Sequence, residues 1–317
     1  YKTDLETVKA VNGINIAIKK KSTFGLVGET GAGKTTTARS IIRLLPSVGH
    51  VTSGTIEFED RNLLELPEAE MRLFRGDKIA MVFQDPMTSL NPVMSVGDQI
   101  AETIKIHNPE LDKAEVGRRV EATLAMVGIL PSRKVEYPHQ FSGGMKQRVI
   151  IAMALACEPQ LLIADEPTTA LDVTIQAQVL MMIKDLRDRL GTSMLMITHD
   201  LGIVAKICDD VGIMYAGEIV EAGTVQDIFE GKNHHPYTEG LFGSIPNLKS
   251  KAKRLNAIPG LMPDPTDLPE GCVFAERCKY AMELCHKVHP SVATSGTHQL
   301  CCHLFNADGS RKEKNHE

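Results

Sequence analysis

The run Gly28-Glu29-Thr30-Gly31-Ala32-Gly33-Lys34-Thr35 constrains this chain most, because it has P-loop spacing and lies between an apolar run and a helical one. Phe24, Leu26 and Val27 supply an entering strand, and the glycines let backbone N–H groups curl around phosphate oxygens. From Thr35 and Thr36 onward a helix is expected, its positive end facing the anion. Lys34 is expected to hold the β and γ phosphates, and the Thr35 hydroxyl to ligate Mg²⁺.

Two further segments point the same way. Leu161-Leu162-Ile163-Ala164-Asp165-Glu166 is an apolar run that ends in adjacent carboxylates before Pro167. Neighbours on a strand point to opposite sides, so Asp165 is expected on the Mg²⁺ side and Glu166 beside the attacking water as general base. In Phe141-Ser142-Gly143-Gly144-Met145-Lys146-Gln147-Arg148 a Ser-Gly-Gly turn opens the helical run Lys146 to Cys157, giving a second helix N-terminus suited to phosphate.

With these motifs in order, the sequence resembles the ATP-binding subunits of ABC transporters. Phe141 to Met145 stands where that family has Leu-Ser-Gly-Gly-Gln; Phe141 and Met145 differ, while Ser142, Gly143 and Gly144 are kept. The resemblance implies that ATP is sandwiched between two subunits, the turn of one meeting the P-loop of the other. Gln84, in Phe83-Gln84-Asp85-Pro86, resembles the Q-loop glutamine that reaches Mg²⁺ or the lytic water. Ala170-Leu171-Asp172 resembles the D-loop of the dimer interface. His199, after the strand-like Met194 to Thr198, resembles the switch histidine, which touches the γ phosphate and helps orient Glu166 and water. Tyr1 resembles the aromatic that stacks on adenine.

Strand-like runs near 15–18, 23–27, 55–59, 79–84, 161–164, 194–197 and 211–214 alternate with helical segments, which predicts an α/β nucleotide-binding core. Val96 to Ile106 and Lys113 to Val127 are helical by period and form a lobe over about 85–145. In transporters this lobe and the Q-loop make a groove for a short helix of the membrane subunit. The Thr88-Ser89-Leu90-Asn91-Pro92 extension resembles the peptide and nickel importer group. A single P-loop calls for a second ATPase chain, either a paralogue or a copy of this one.

Composition bounds the rest. The 317 residues suit one large core with a small appendage, and the net charge of -5 gives no global reason to expect nucleic acid. The longest apolar stretch, Val149 to Cys157, falls well short of the roughly 20 residues of a membrane span, and the start is too charged for a signal peptide. A membrane role must therefore come through partners. A short N-terminal strand is expected ahead of Tyr1.

After residue 231 Pro and Gly become frequent, which divides the chain into an ATPase domain, 1–231, and a C-terminal extension, 232–317. The extension opens with the His235-Pro236-Tyr237 motif and ends in a polar tail from Asn306. Five of the seven cysteines lie between 272 and 302, while Cys157 and Cys208 read as buried fillers. Disulfides do not suit the reducing compartment of an ATPase. Zinc prefers closer Cys-x-x-Cys pairs, an iron-sulfur cluster accepts wider spacing, and free thiols are the third reading. The pattern resembles the peptide-importer extension in which four cysteines hold a [4Fe-4S] centre, implying Cys272, Cys278, Cys285 and Cys302 as ligands. Cys302 is preferred to Cys301 because Cys-His-Leu is the matching triplet.

The fold expected is thus an α/β P-loop ABC-type nucleotide-binding domain with a helical lobe and a small cysteine-rich C-terminal module. The resemblance implies an ATPase subunit, cytoplasmic and peripheral on the inner face of the cell membrane. It would work with a second ATPase, two permeases and, indirectly, an extracytoplasmic substrate-binding protein in dipeptide or oligopeptide uptake. Import of nickel or another small solute is an alternative, as is a soluble ABC ATPase acting on nucleic acid. For the last, no second ATPase domain, coiled-coil insertion or basic face is visible in the sequence.

Overall fold

A computed structural model describes residues 1–4, 6–84, 89–168, 171–244 and 258–312. Among them the strands are β1 (Thr23–Val27), β2 (Glu57–Phe58), β3 (Arg61–Asn62), β4 (Ile79–Val82), β5 (Leu161–Asp165), β6 (Ser193–Thr198), β7 (Asp210–Tyr215), β8 (Glu218–Thr224), β9 (Val292–Ser295) and β10 (His298–Cys301). The helices are α1 (Lys34–Ile41), α2 (Glu68–Asp77), α3 (Val96–His107), α4 (Lys113–Met126), α5 (Gly143–Leu155), α6 (Val173–Leu190), α7 (Leu201–Ile207), α8 (Val225–Glu230), α9 (Pro236–Gly243) and α10 (Glu283–Lys287).

One sheet organises the molecule, in the order β4-β5-β6-β1-β7-β8-β10-β9. Strands β4 to β7 of that order run parallel, and β8, β10 and β9 continue it antiparallel. Strand alternation sorts the side chains onto two faces. Leu161, Ile163, Leu195 and Ile197 join Ala38 and Ile42 from α1 and its end in one cluster. Leu162, Ala164, Met194 and Met196 join the other, which runs on into the helical lobe through Ile100, Ile104, Val120, Leu124 and Val149. The lobe is thus seated on the same core as the sheet.

The structure departs from the sequence reading in three places. Residues 15–18 are not a strand: Ile14, Ile16 and Ile18 pack against the α1-side cluster, so their alternation reports burial without ladder pairing. The run 55–59 shrinks to the two-residue strand β2, turned back onto β3 through Glu59 and Asp60 at φ 49° and 61°. The extension after 231, expected as a separate module, adds β10 to β8 through Gln299 opposite Ala222 and Leu300 opposite Glu221, and buries Tyr237, Cys272, Phe274 and Cys285 in the lobe-side cluster. Its strands are four residues long and half polar, too weak a pattern to read as part of the central sheet. Asp85 to Thr88 of the Q-loop extension and Ala170 of the D-loop fall outside the described residues.

Candidate nucleotide site

Because β4, β5, β6 and β1 are parallel, their C-terminal ends open on one edge of the sheet, where ligands of open α/β folds gather. The P-loop leaves β1 at this edge. Gly33 adopts φ 104°, and a Cβ on it would lie 2.4 Å from the Ala10 carbonyl oxygen. One on Gly28 would lie 2.1 Å from that of Met214, so only glycine fits at either position. Helix α1 begins at Lys34 with no side-chain cap and no acidic residue in its first turn, which suits its end to an anion. Lys34 is buried, and its Nζ donates to the carbonyls of Gly28 at 2.8 Å and Glu29 at 2.9 Å. Burial holds its pKa below the usual lysine value, against the pull of Glu166, Asp165 and Glu29.

The two adjacent carboxylates diverge. Asp165, the last residue of β5, shares the parity of Leu161 and Ile163 and faces α1, where its Oδ1 accepts from the Thr35 hydroxyl at 3.2 Å. It is 2% exposed, and burial raises its pKa. Glu166 turns the other way with φ 46°, a left-handed conformation that a non-glycine residue adopts at a cost of about 1–3 kcal/mol. Its backbone N–H is tied to the Ile197 carbonyl at 2.9 Å. Its carboxylate receives Gln84 Nε2 on Oε2 at 3.1 Å and lies 3.1 Å from His199 Nδ1 through Oε1. The glutamine from the end of β4 and the histidine from the end of β6 thus meet on one carboxylate, while Thr35 meets the other.

Tyr1 lies near α1, its hydroxyl 3.3 Å from Thr36 Oγ1 and its ring packed against Gly49. Ser142 caps α5 by accepting from the Met145 N–H at 3.4 Å, and Gly144 is pressed so closely on Ile175 of α6 that a Cβ would lie 2.5 Å from it. Asp172 caps α6 through the Ile175 N–H at 3.0 Å. Among the described residues no hydrogen bond joins this turn to the P-loop of the same chain.

The extension holds a second concentration of chemistry. All seven cysteines are free. Burial pushes the Cys272 thiol up to about 11 and Cys302 to about 12, and it raises Cys278 as well. The Cys302 thiol feels Cys272, Cys278 and Cys285 together, and the Tyr280 N–H points at Cys278 Sγ at 3.4 Å. Cys301 turns away, its thiol donating to the Pro290 carbonyl at 3.3 Å.

Sequence reasoning missed a polar group where the extension joins β8. Glu221, Nδ1 of His234 and Nε2 of His298 lie mutually within 4.8 Å, the one set of metal-competent side chains that close among the described residues. The ring nitrogens are 2.9 and 2.8 Å from Glu221 Oε1, and the His235 N–H donates to Oε2 at 2.8 Å. The second ring nitrogen of His234 lies 2.9 Å from the Gly231 carbonyl, and the Glu221 hydrogen bond raises the ring's pKa above the ordinary histidine value. Burial alone would raise the Glu221 pKa, but hydrogen bonds from His234 and His298 win and hold it at about 2. The set is a buried ion pair joining β8, the segment before α9, and β10. No sequence signal could have revealed it, because only the pairing of β8 with β10 brings His298 to Glu221.

Comparison with known proteins follows this geometry. The ABC transporter family model matches residues 11–169, and the model for the oligopeptide/dipeptide transporter C-terminal region matches 220–285. The chain belongs to the ABC transporter family. It is 48% identical to the oligopeptide transport ATP-binding protein OppD of Bacillus subtilis over 99% of this chain and 88% of that one. It is also 48% identical to the dipeptide transport ATP-binding protein DppD of the same organism, over 94% and 90%. It therefore stands among the ATP-hydrolysing, ATP-binding subunits of peptide importers of this family. Among solved structures, the ATP-binding cassette MJ0796, seen as a dimer with ADP and Pi, matches with a TM-score of 0.63 at 26% identity, covering 71% of this chain and 94% of that one. No helix among the described residues is long and apolar enough to cross a membrane.

Proposed function

We propose that this chain energises dipeptide or oligopeptide uptake by binding MgATP at the edge described above and hydrolysing it in a dimer of ATPase chains. The observation that carries the reading is the division of labour between Asp165 and Glu166, one bonded to Thr35 and the other to Gln84 and His199. Thr35 and Asp165 offer the hard oxygen donors that Mg²⁺ takes, with Gln84 as a further candidate. When bound, the ion neutralises phosphate charge. Gly28 to Thr36 cradle the phosphates, Glu166 takes the proton of the attacking water, and His199 orients both water and γ phosphate. Tyr1 stacks on adenine, and Ser142, Gly143 and Gly144 complete the partner chain's site.

The partner reading is supported by a cavity of about 530 Å³ less than by a smaller one of about 300 Å³ between the sheet and the lobe. The latter is lined by Ile42, Arg75, Met81, Phe83, Ile150 and Met153, beside the Q-loop, and suits an apolar helix end of a permease. Such a contact would hold the chain at the inner face of the membrane. For the extension, 232–317, four free thiols, three buried and Cys278 half-buried, with an N–H aimed at the sulfur of Cys278, suit a [4Fe-4S] cluster held by Cys272, Cys278, Cys285 and Cys302. Zinc would draw thiolates within about 3.8 Å of one another at its tetrahedral Zn–S length, and no three of these thiols lie within 4.8 Å. The Pro290 bond of Cys301 favours Cys302 as ligand.

Two experiments test the proposal. Membrane vesicles carrying this chain with its co-expressed permeases should take up labelled peptide with MgATP inside, and Lys34→Ala should abolish it; uptake surviving that change removes the function. Anaerobic purification should give about four iron and four sulfide per chain, retained by Cys301→Ser and lost by Cys302→Ser. Stoichiometric zinc, or no metal, removes the cluster and leaves the ATPase standing.

A further inference from the structure

The P-loop is gripped by residues that lie outside the ATPase motifs. Tyr237, the first-turn tyrosine of α9, accepts the Glu29 backbone N–H on its hydroxyl at 3.0 Å. Arg277, the residue before Cys278, donates to the Glu29 carboxylate at 3.0 Å and to the Tyr215 hydroxyl at 3.3 Å. Both holders are themselves fixed. Tyr237 is fully buried, its ring 4.7 Å from Tyr215 and 5.5 Å from Phe274. Arg277 has a side chain only 6% exposed, and its Nε donates to the Pro259 carbonyl at 2.9 Å. Nearby, the Met262 methyl lies where a Cβ on Gly31 would meet it at 3.1 Å.

Two of these contacts end on one residue, and that residue is linked onward. The Glu29 carbonyl accepts Lys34 Nζ at 2.9 Å, so a displacement of Glu29 moves a partner of the lysine that holds phosphate. The Glu29 N–H is committed to Tyr237 and the Ala32 N–H to the Glu29 carbonyl at 3.1 Å, which sets the entry of the loop and leaves its other N–H groups for the anion. We infer that Tyr237 and Arg277 are positioning residues for the nucleotide: from the C-terminal extension they hold Glu29, and through it Lys34, in the shape that receives the phosphates. The P-loop of this chain is therefore set by the segment that carries the cysteines as well as by its own glycines.

The inference rests on reading residues 28–36 as the nucleotide cradle. It is tested by titrating the full chain with MgATP and by measuring KM and kcat. Arg277→Met and Tyr237→Phe should each weaken binding about five- to tenfold, the low end of coupling between sites, and raise KM more than they lower kcat. In a Glu29→Ala background Arg277→Met should lose most of its effect on affinity, whereas Tyr237→Phe, which acts on the backbone, should keep its own. Equal effects of Arg277→Met in both backgrounds, or unchanged affinity in both single variants, would overturn the proposal. Should Arg277→Met fail to fold, Tyr237→Phe keeps its ring and decides alone, unchanged affinity being the contrary result. Failure of the unaltered chain to bind MgATP would instead remove the nucleotide reading itself.

Discussion

At the nucleotide edge, Gln84, Asp165, Glu166 and His199 all stand at or within two residues of the end of a parallel strand. In the extension, Cys272 and Cys278 stand on loops and Cys285 on the five-residue helix α10, with Cys302 alone following a strand. The first set is aimed by the backbone: parallel register brings the strand ends together, parity places Asp165, and the left-handed turn at Glu166 sends the second carboxylate the other way. The second depends on turns and on an aromatic cluster of Tyr215, Tyr237 and Phe274. Chemistry on strand ends is rigid, and chemistry on loops needs outside support, which here comes from the ion pair of Glu221 and from the core.

The largest effect that would break this contrast is at Glu166. Glu166→Gln should retain MgATP binding while turnover falls by roughly 10² to 10⁴, the scale of a lost general base, read by steady-state hydrolysis and nucleotide retention. Near-normal turnover would mean that the strand-end geometry does not carry the chemistry.

Where the extension joins β8 the answer should come in stability instead. Glu221→Gln removes the buried carboxylate that His234 and His298 share and should cost about 3 kcal/mol in denaturant unfolding, with much smaller change in turnover. The cost carries a pH signature. Glu221 has its pKa depressed to about 2, so its contribution is present above about 4.5 and is lost as pH falls towards 2. His234 has its pKa raised by its Glu221 bond, so its contribution is full below about 6.5 and is lost as pH rises through the raised value. The difference between wild type and variant should therefore be greatest between about pH 4.5 and 6.5. A difference independent of pH would mean that the group is packed rather than charged.

A smaller effect sharpens the nucleotide side. Thr35→Ala removes one oxygen donor beside Asp165 and should raise the Mg²⁺ needed for half-maximal hydrolysis by about tenfold, roughly 1.4 kcal/mol, with fold stability unchanged. An unchanged Mg²⁺ requirement would remove Thr35 from the metal side.

What could be read from the sequence follows the same contrast. The P-loop, the Asp165–Glu166 pair and the Ser142 cap are legible because each is a short run whose local backbone dictates its geometry. Strand parity puts Asp165 on the α1 side with Leu161 and Ile163, while Glu166, one residue past β5, takes its aim from a left-handed backbone. The strained φ of Glu166 could not be read, since it depends on the Ile197 bond to a strand far along the chain. Arg277 and Tyr237 were legible only as a charged residue near a cysteine and as part of a His-Pro-Tyr motif. Their partner, Glu29, is 248 and 208 residues away, and no periodicity encodes that contact. Likewise β9 and β10 are too short and polar to announce that they extend the main sheet.

The account rests on hydrolysis being done at the strand ends while the extension sets how nucleotide is held, and one side-by-side measurement bears on it most directly: kcat and KM for ATP in Glu166→Gln and Arg277→Met. The prediction is a collapse of kcat with KM little changed in the first, and a raised KM with kcat nearly intact in the second. If both substitutions lower kcat alike, or if Arg277→Met leaves KM untouched, the division between the two regions is contradicted.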